Sequence, residues 1–111
     1  MPDSNAYKSK AIQIAQILRK IDPERIIFFG SAAAKNVTDK SDIDICVITP
    51  GNPLEIKKML WGLLRKGGYD WSIEPDIHVY PPAVYSDYLR RNDPFIVEVA
   101  KGKTLYERQI G

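Results

Sequence analysis

Two aspartates, Asp42 and Asp44, are the residues best placed to do chemistry in this 111-residue sequence. They lie in the segment 42–48, DIDICVI, whose apolar and β-branched residues predict a β-strand. Residues two apart on a strand point to the same face, so we expect the two carboxylates to stand side by side. Both are ordinarily charged at neutral pH, and their repulsion favours a cation between them. Such oxygen ligands suit Mg²⁺, which is usually held by one or two carboxylates together with substrate phosphates.

The pair Gly30-Ser31, upstream of the aspartates, is suited to binding phosphate. Glycine adopts backbone angles that other residues avoid and lets a ligand approach the main chain closely. The Ser31 hydroxyl and the amides after it can point at a phosphate if a helical turn begins there. A phosphate-binding turn combined with paired carboxylates is the equipment of metal-assisted phosphoryl or nucleotidyl transfer.

The elements that must position these residues alternate along the chain. Apolar runs predict strands near 25–29, 42–48 and 72–80, and helical spacing predicts helices at 6–20, 53–66, 82–91 and 94–100. We therefore predict one α/β domain over residues 1–111, with a small mixed β-sheet and helices packed mainly on one face. The Gly30-Ser31 turn should lie beside the start of the 42–48 strand. The chain after Gly102 should be a short extended end.

Alternation within the 42–48 strand predicts the role of each face. Ile43, Ile45 and Val47 should pack under the helices, while Asp42, Asp44 and Cys46 share the other face. Cys46 should be a small buried side chain. Residues 38–40 should form a polar loop before Ser41. Trp61 lies off the main helical stripe, so that it either covers the edge of its helix or belongs to a partner surface.

Composition excludes several classes of protein. The net charge is +2 with acids and bases interspersed, which gives no reason to expect a nucleic-acid partner. No apolar run approaches the ~20 residues that span a membrane, and no signal segment is visible at the N-terminus. The single cysteine allows no internal disulfide. We expect a cytoplasmic protein.

Gly30-Ser31, a spacer, and then Ser41-Asp42-Ile43-Asp44 resemble the signature of the polymerase-beta-like nucleotidyltransferases. The short chain resembles the minimal nucleotidyltransferase (MNT) branch of that superfamily, and a Gly-Lys-x-Leu-Tyr-Glu segment extends the resemblance to Glu107. Members of that branch are often antitoxins encoded beside HEPN-domain toxins. The resemblance implies a polymerase-beta-like fold, ATP as the nucleotide donor, and a helical toxin as partner.

The resemblance also implies the site residues. The catalytic and metal-binding residues would be Asp42, Asp44 and Asp76, which hold one or two Mg²⁺ ions. Asp76 lies on the strand next to the paired aspartates and would help to deprotonate the attacking hydroxyl. The nucleotide-binding residues would be Gly30, Ser31, Lys35 and Ser41. His78 shares the predicted face of Asp76, and it either takes part in the site or is a packed, hydrogen-bonded histidine.

One position departs from the family pattern. Relatives commonly carry a basic residue where this chain has Ala34, and Lys35 next to it lacks the bidentate fork of arginine. Two functions therefore stay open. The first is an Mg²⁺-dependent enzyme that transfers AMP from ATP to a hydroxyl of the partner protein. The second is a non-catalytic subunit that binds a nucleotide or neutralises a helical partner. A partner or a second copy of the chain would have to supply any missing wall of the cleft.

Overall fold

The computed structural model describes residues 3–38 and 41–109. These ranges contain α1 (Ser4–Leu18), β1 (Arg25–Phe29), α2 (Gly30–Ala33), β2 (Ile43–Ile48), α3 (Pro53–Lys66), β3 (Pro75–Tyr80), α4 (Pro82–Arg90), α5 (Pro94–Ala100) and β4 (Lys103–Glu107). None of the helices in these ranges has the length and apolar character needed to cross a membrane. Asp39 and Lys40, from the predicted polar loop, lie outside the described residues.

The four strands form one mixed sheet in the order β3-β2-β1-β4. β1 is antiparallel to β2 and to β4, whereas β2 and β3 are parallel. Consequently the end of β1 is at the same end of the sheet as the starts of β2, β3 and β4. We call this the upper end of the sheet, and it is where the Gly30-Ser31 turn meets the aspartates, as predicted.

The sheet has a core on each face. On the first face, alternate strand residues such as Phe28, Ile45 and Ile77 pack against the long helices α1 and α3. On the second face, Cys46 and its neighbours pack against the short helices α4 and α5 through Tyr85, Ile96 and Val99. The predicted α/β class, with a mixed sheet and the main helices on one face, is confirmed, as is the burial of Ile43, Ile45 and Val47 under helices.

Most predicted boundaries hold, and β1, α3 and α5 agree with the predicted ranges. β3 begins at Pro75 rather than at residue 72 because a local turn precedes it: the Asp70 carboxylate accepts hydrogen bonds from the Ser72 amide (3.0 Å) and hydroxyl (2.8 Å). The predicted extended end is a full strand, β4, paired with β1. Trp61 stacks on Trp71 with 5.5 Å between ring centroids, which supports its role at the helix edge.

Cys46 provides a test of this packing. Its side chain is fully buried, and burial raises the pKa of its thiol to about 12. Because the thiolate is the reactive form, we expect the native protein to resist iodoacetamide at pH 8 while protein in guanidinium chloride is alkylated completely. Intact-mass spectrometry reports both reactions. Equally fast alkylation of native protein would contradict a closed second core.

Candidate functional site

The register of the parallel pair β2–β3 brings the acidic residues together. Asp44 lies opposite Asp76, and Cys46 lies opposite His78. All these side chains are on the second face of the sheet, and Asp44 and Asp76 are close to its upper end. One ligand atom each from Asp44, Asp76 and His78 lies within 4.8 Å of the other two. The structure therefore places two carboxylates and one imidazole around a common point.

His78 is both packed and in contact with the site. Its Nε2 is 3.2 Å from Oδ2 of Asp76, so the two side chains are joined by a hydrogen bond. The imidazole ring contacts the rings of Phe29 and Phe95, at centroid distances of 5.7 and 5.0 Å. These contacts orient the Asp76 carboxylate, of which about half (49%) remains exposed.

The electrostatics of the cluster favour a cation. Partial burial raises the pKa of the Asp44 carboxyl, and the charge of Asp76 raises that pKa further. His78 opposes the shift, and Asp42 adds to it. The ionised form of Asp44 is therefore disfavoured by its surroundings in the absence of a positive charge. A divalent cation between the carboxylates would remove this repulsion.

Asp42 immediately precedes the strand that was predicted to include it. β2 begins at Ile43, so Asp42 precedes the strand and is exposed. It does not belong to the group of ligand atoms within 4.8 Å, but its charge acts on Asp44. The structure thus brings Asp44 and Asp76 together directly and leaves Asp42 at the margin of the cluster.

Gly30 connects the turn at the end of β1 to the acidic cluster. It ends β1, begins α2 and has φ +84°, a conformation that favours glycine. A Cβ atom at this position would overlap Oδ2 of Asp44 and lie 3.1 Å from its Cγ. The main chain at Gly30 therefore approaches the Asp44 carboxylate as closely as only a glycine allows.

Replacing Gly30 with alanine tests this contact against a matched control. Gly68 has a similar φ of +81°, but a Cβ atom there would meet nothing within 4 Å. Both variants incur the cost of a left-handed non-glycine residue, about 1–2 kcal/mol. We expect Gly30→Ala to lower the free energy of unfolding by more than Gly68→Ala does, because its Cβ atom would displace the Asp44 carboxylate. Urea denaturation measures this difference. Identical behaviour of the two variants would contradict the assigned contact.

The serines of the predicted site lie close together. Ser31 Oγ and Ser41 Oγ are 3.3 Å apart, and the Thr38 amide donates a 2.8 Å hydrogen bond to Ser41 Oγ. The Tyr7 hydroxyl donates to the carbonyl oxygen of Ser41 at 3.1 Å, which ties this segment to α1. The two hydroxyls thus form a polar group beside the Gly30 turn.

Lysines lie on the other side of Gly30. Lys35 has φ +64°, is exposed, and lines a small cleft together with Lys8 and Lys103. A larger cleft includes Gly30 itself, with Lys101 and Lys103 on its wall. The sequence analysis did not single out these last two lysines as site residues. No local spacing connects them to Gly30, because the pairing of β4 with β1 brings them there.

Comparison with known protein families shows to which family the chain belongs. The family model for the nucleotidyltransferase domain matches residues 11–106. The chain belongs to this nucleotidyltransferase family. The match runs from α1 into β4 and includes Gly30, Ser31, Ser41, Asp42, Asp44, Asp76 and His78. Nucleotidyl transfer, with a nucleotide as substrate, is accordingly the chemistry that this nucleotidyltransferase domain supports. No curated protein gives a match to the sequence.

Proposed function

We propose that this domain is an Mg²⁺-dependent enzyme that transfers AMP from ATP to a hydroxyl group of a partner protein. One observation carries the proposal: Asp44 and Asp76 stand opposite each other in the sheet, with the backbone of Gly30 directly against the Asp44 carboxylate. This arrangement puts two anionic ligands beside a turn suited to phosphate. A site that joins carboxylates to phosphate through a cation is typical of nucleotidyl transfer.

The donor atoms fit a divalent cation. Asp44 and Asp76 offer carboxylate oxygens, which Mg²⁺ prefers, and Asp42, whose charge acts on Asp44, is proposed as a further ligand for one or two ions. The imidazole of His78 is a third donor that also suits transition metals such as Mn²⁺. When bound, the cation would neutralise the charge that develops on the α-phosphate and on the departing pyrophosphate.

The protein's own residues supply the proton transfer and the positioning. The oxygen of the acceptor hydroxyl attacks the α-phosphorus of ATP, and its proton passes to the Asp76 carboxylate, which His78 orients. The bond from the α-phosphorus to the oxygen that bridges to the β-phosphorus breaks, and pyrophosphate leaves with the bonding electrons. AMP remains on the acceptor oxygen. Ser31, Ser41 and the Gly30 turn hold phosphate oxygens, with Lys35 as a further positive charge nearby.

The surface beside Asp76 and His78 supports a protein as acceptor. Phe95 contacts His78, Phe95 and Tyr88 both contact Tyr80, and the side chains of Phe95 and Tyr88 are exposed. Exposed apolar surface next to a reactive centre is typical of a protein-binding site. The proposed partner is a helical HEPN-type toxin, with this domain as its antitoxin. A second copy of the chain is the alternative partner to be tested for this surface.

A non-catalytic role is the second candidate. The basic residue that relatives carry is replaced by Ala34, which weakens the expected grip on the triphosphate. A subunit of this kind would bind and neutralise its partner without modifying it. Retention of Asp44 and Asp76 in direct register favours the enzyme, because a binding subunit has no need of two repelling carboxylates at this point.

The experiment that separates the two functions is a transfer assay on the protein co-expressed with a candidate helical partner. The complex is incubated with ATP and Mg²⁺, and the intact mass of the partner is measured. The enzyme adds AMP to the partner, and EDTA or an ATP analogue with a methylene group between the α- and β-phosphorus abolishes the addition. A partner that is bound and neutralised but unmodified supports the non-catalytic role instead.

A further inference from the structure

A cleft of about 200 Å³ lies beside Gly30 at the upper end of the sheet. One wall is formed by the end of β1 and by α2, and the other by the connection from α5 to β4. Its lining consists of Gly30, Ala33, Ala34, Glu98, Lys101, Gly102 and Lys103. Because Gly30 also lies against the Asp44 carboxylate, the cleft begins where the proposed metal site ends.

The sheet orders these groups in a row. Asp76 is on β3, Asp44 on β2, Gly30 at the end of β1, and Lys103 at the start of β4, in the order in which the strands pair. Neighbouring strands are about 4.8 Å apart, so β4 lies about 10 Å from β2. Across the sheet, the anionic ligands for a cation thus stand on one side of Gly30 and the lysines on the other, with Lys103 on the first face because it pairs with Phe28.

The lysines are available to an anion. Lys101 has a single ion-pair partner in residues 3–38 and 41–109, Glu98, at 3.3 Å, and both side chains are largely exposed. Lys103 has no acidic partner within ion-pair distance in the same ranges, and it also lines the adjoining cleft with Lys8 and Lys35. An exposed pair such as Lys101–Glu98 is weak and is readily exchanged for a phosphate. The lining therefore carries two lysines and one carboxylate, Glu98, so that Lys103 is left as its unpaired positive charge among the described residues.

Gly102 holds the two lysines in place. A Cβ atom on Gly102 would lie 2.5 Å from the carbonyl oxygen of Phe28 and 2.8 Å from Cβ of Phe29, so the chain here passes in direct contact with β1. Lys103 is then paired with Phe28 in the sheet. The backbone that carries both lysines is consequently fixed beside the Gly30 turn.

From this juxtaposition we infer that Lys101 and Lys103 bind the β- and γ-phosphates of the nucleoside triphosphate. The inference rests on the proposed function and extends it by naming the residues that recognise the triphosphate tail. Lysine is a compact positive charge that pairs well with phosphate. Ala34 lines the same cleft, so that these lysines stand in for the basic residue missing at that position. The enzyme should accordingly distinguish ATP from AMP by charge at this cleft.

Calorimetric titrations of Mg²⁺-ATP, Mg²⁺-ADP and AMP test the inference on the full chain. In the double variant Lys101→Gln, Lys103→Gln, we expect the affinity for ATP to fall by at least about tenfold, which is about 1.4 kcal/mol, while the affinity for AMP stays within about twofold. The control, Lys20→Gln with Lys66→Gln, removes the same charge from exposed positions that line neither cleft and should bind all three nucleotides as the wild type does. Thermal unfolding verifies that both variants are folded.

A rescue variant sharpens the test. Adding Ala34→Arg to the Lys101→Gln, Lys103→Gln variant should restore part of the lost affinity for ATP, because the new guanidinium enters the same cleft. Three results would overturn the assignment of these lysines to the β- and γ-phosphates. They are a double variant that binds ATP as the control does, a double variant that loses equal affinity for ATP and AMP, and a rescue variant that regains no affinity for ATP. In each of these cases the wild type still binds Mg²⁺-ATP, so only this inference fails. If the wild type binds no nucleotide, the proposed function fails together with the inference.

Discussion

Replacing Asp76 with asparagine is expected to lower kcat for AMP transfer by about a hundredfold or more at saturating Mg²⁺-ATP, in addition to any affinity lost with this carboxylate as a metal ligand. A general base acts in the transition state, so its loss reduces kcat rather than substrate binding. Such bases typically raise the reaction rate by about 10²–10⁴-fold. Asparagine keeps the shape of the side chain and a possible hydrogen bond to His78. Single-turnover kinetics on the complex with its partner, with mass detection of the AMP adduct, measure the effect.

Glu74→Gln is the matched control for this prediction. Glu74 is two residues before Asp76, is exposed, and precedes β3, so the variant makes the same change of charge outside the cluster. Transfer by this variant should equal that of the wild type. If Asp76→Asn retained the wild-type kcat, Asp76 would not be the base. If it lost nucleotide binding in proportion to activity, its role would be to hold the metal alone.

Asp44→Asn is expected to lower the affinity for Mg²⁺-ATP by at least about a hundredfold. Replacing a residue that only hydrogen-bonds to a metal ligand lowers metal affinity by about 10–100-fold. Replacing a ligand itself should therefore lower the affinity at least as much. Calorimetric titration with and without Mg²⁺ measures the effect. Glu107→Gln, an exposed acid at the opposite end of β4, should bind as the wild type does. Unchanged Mg²⁺-dependent binding in Asp44→Asn would remove Asp44 from the metal site.

The same variant should stabilise the metal-free protein at neutral pH. Burial, followed by the charge of Asp76, raises the pKa of Asp44 in the folded state, so ionised Asp44 costs folding free energy. This cost is fully present above the folded pKa and disappears as the pH falls below the ordinary carboxyl pKa. The melting temperature of Asp44→Asn should thus exceed that of the wild type at pH 7, with a difference that shrinks towards pH 4. Mg²⁺-ATP should raise the melting temperature of the wild type alone.

Local patterns in the sequence are sufficient to predict the elements of this fold. The unbroken apolar run before Gly30 predicts β1, and the alternation from Ile43 to Ile48 correctly separates the residues under α1 and α3 from those of the second core. These predictions succeed because side-chain direction in a strand depends on position alone, with a period of two. The predicted start of this strand differs by one residue, since β2 begins at Ile43 and Asp42 directly precedes it.

The sequence by itself determined which residues have the chemistry for nucleotidyl transfer: the paired aspartates, the Gly30-Ser31 turn and Asp76. Only the tertiary structure decided which of them meet. The parallel register that sets Asp44 opposite Asp76, with His78 two residues further along β3, depends on contacts between distant segments, and a shift by one residue would turn Asp76 to the other face. The same holds for Lys101 and Lys103, which reach the cleft at Gly30 because the last strand pairs with the first.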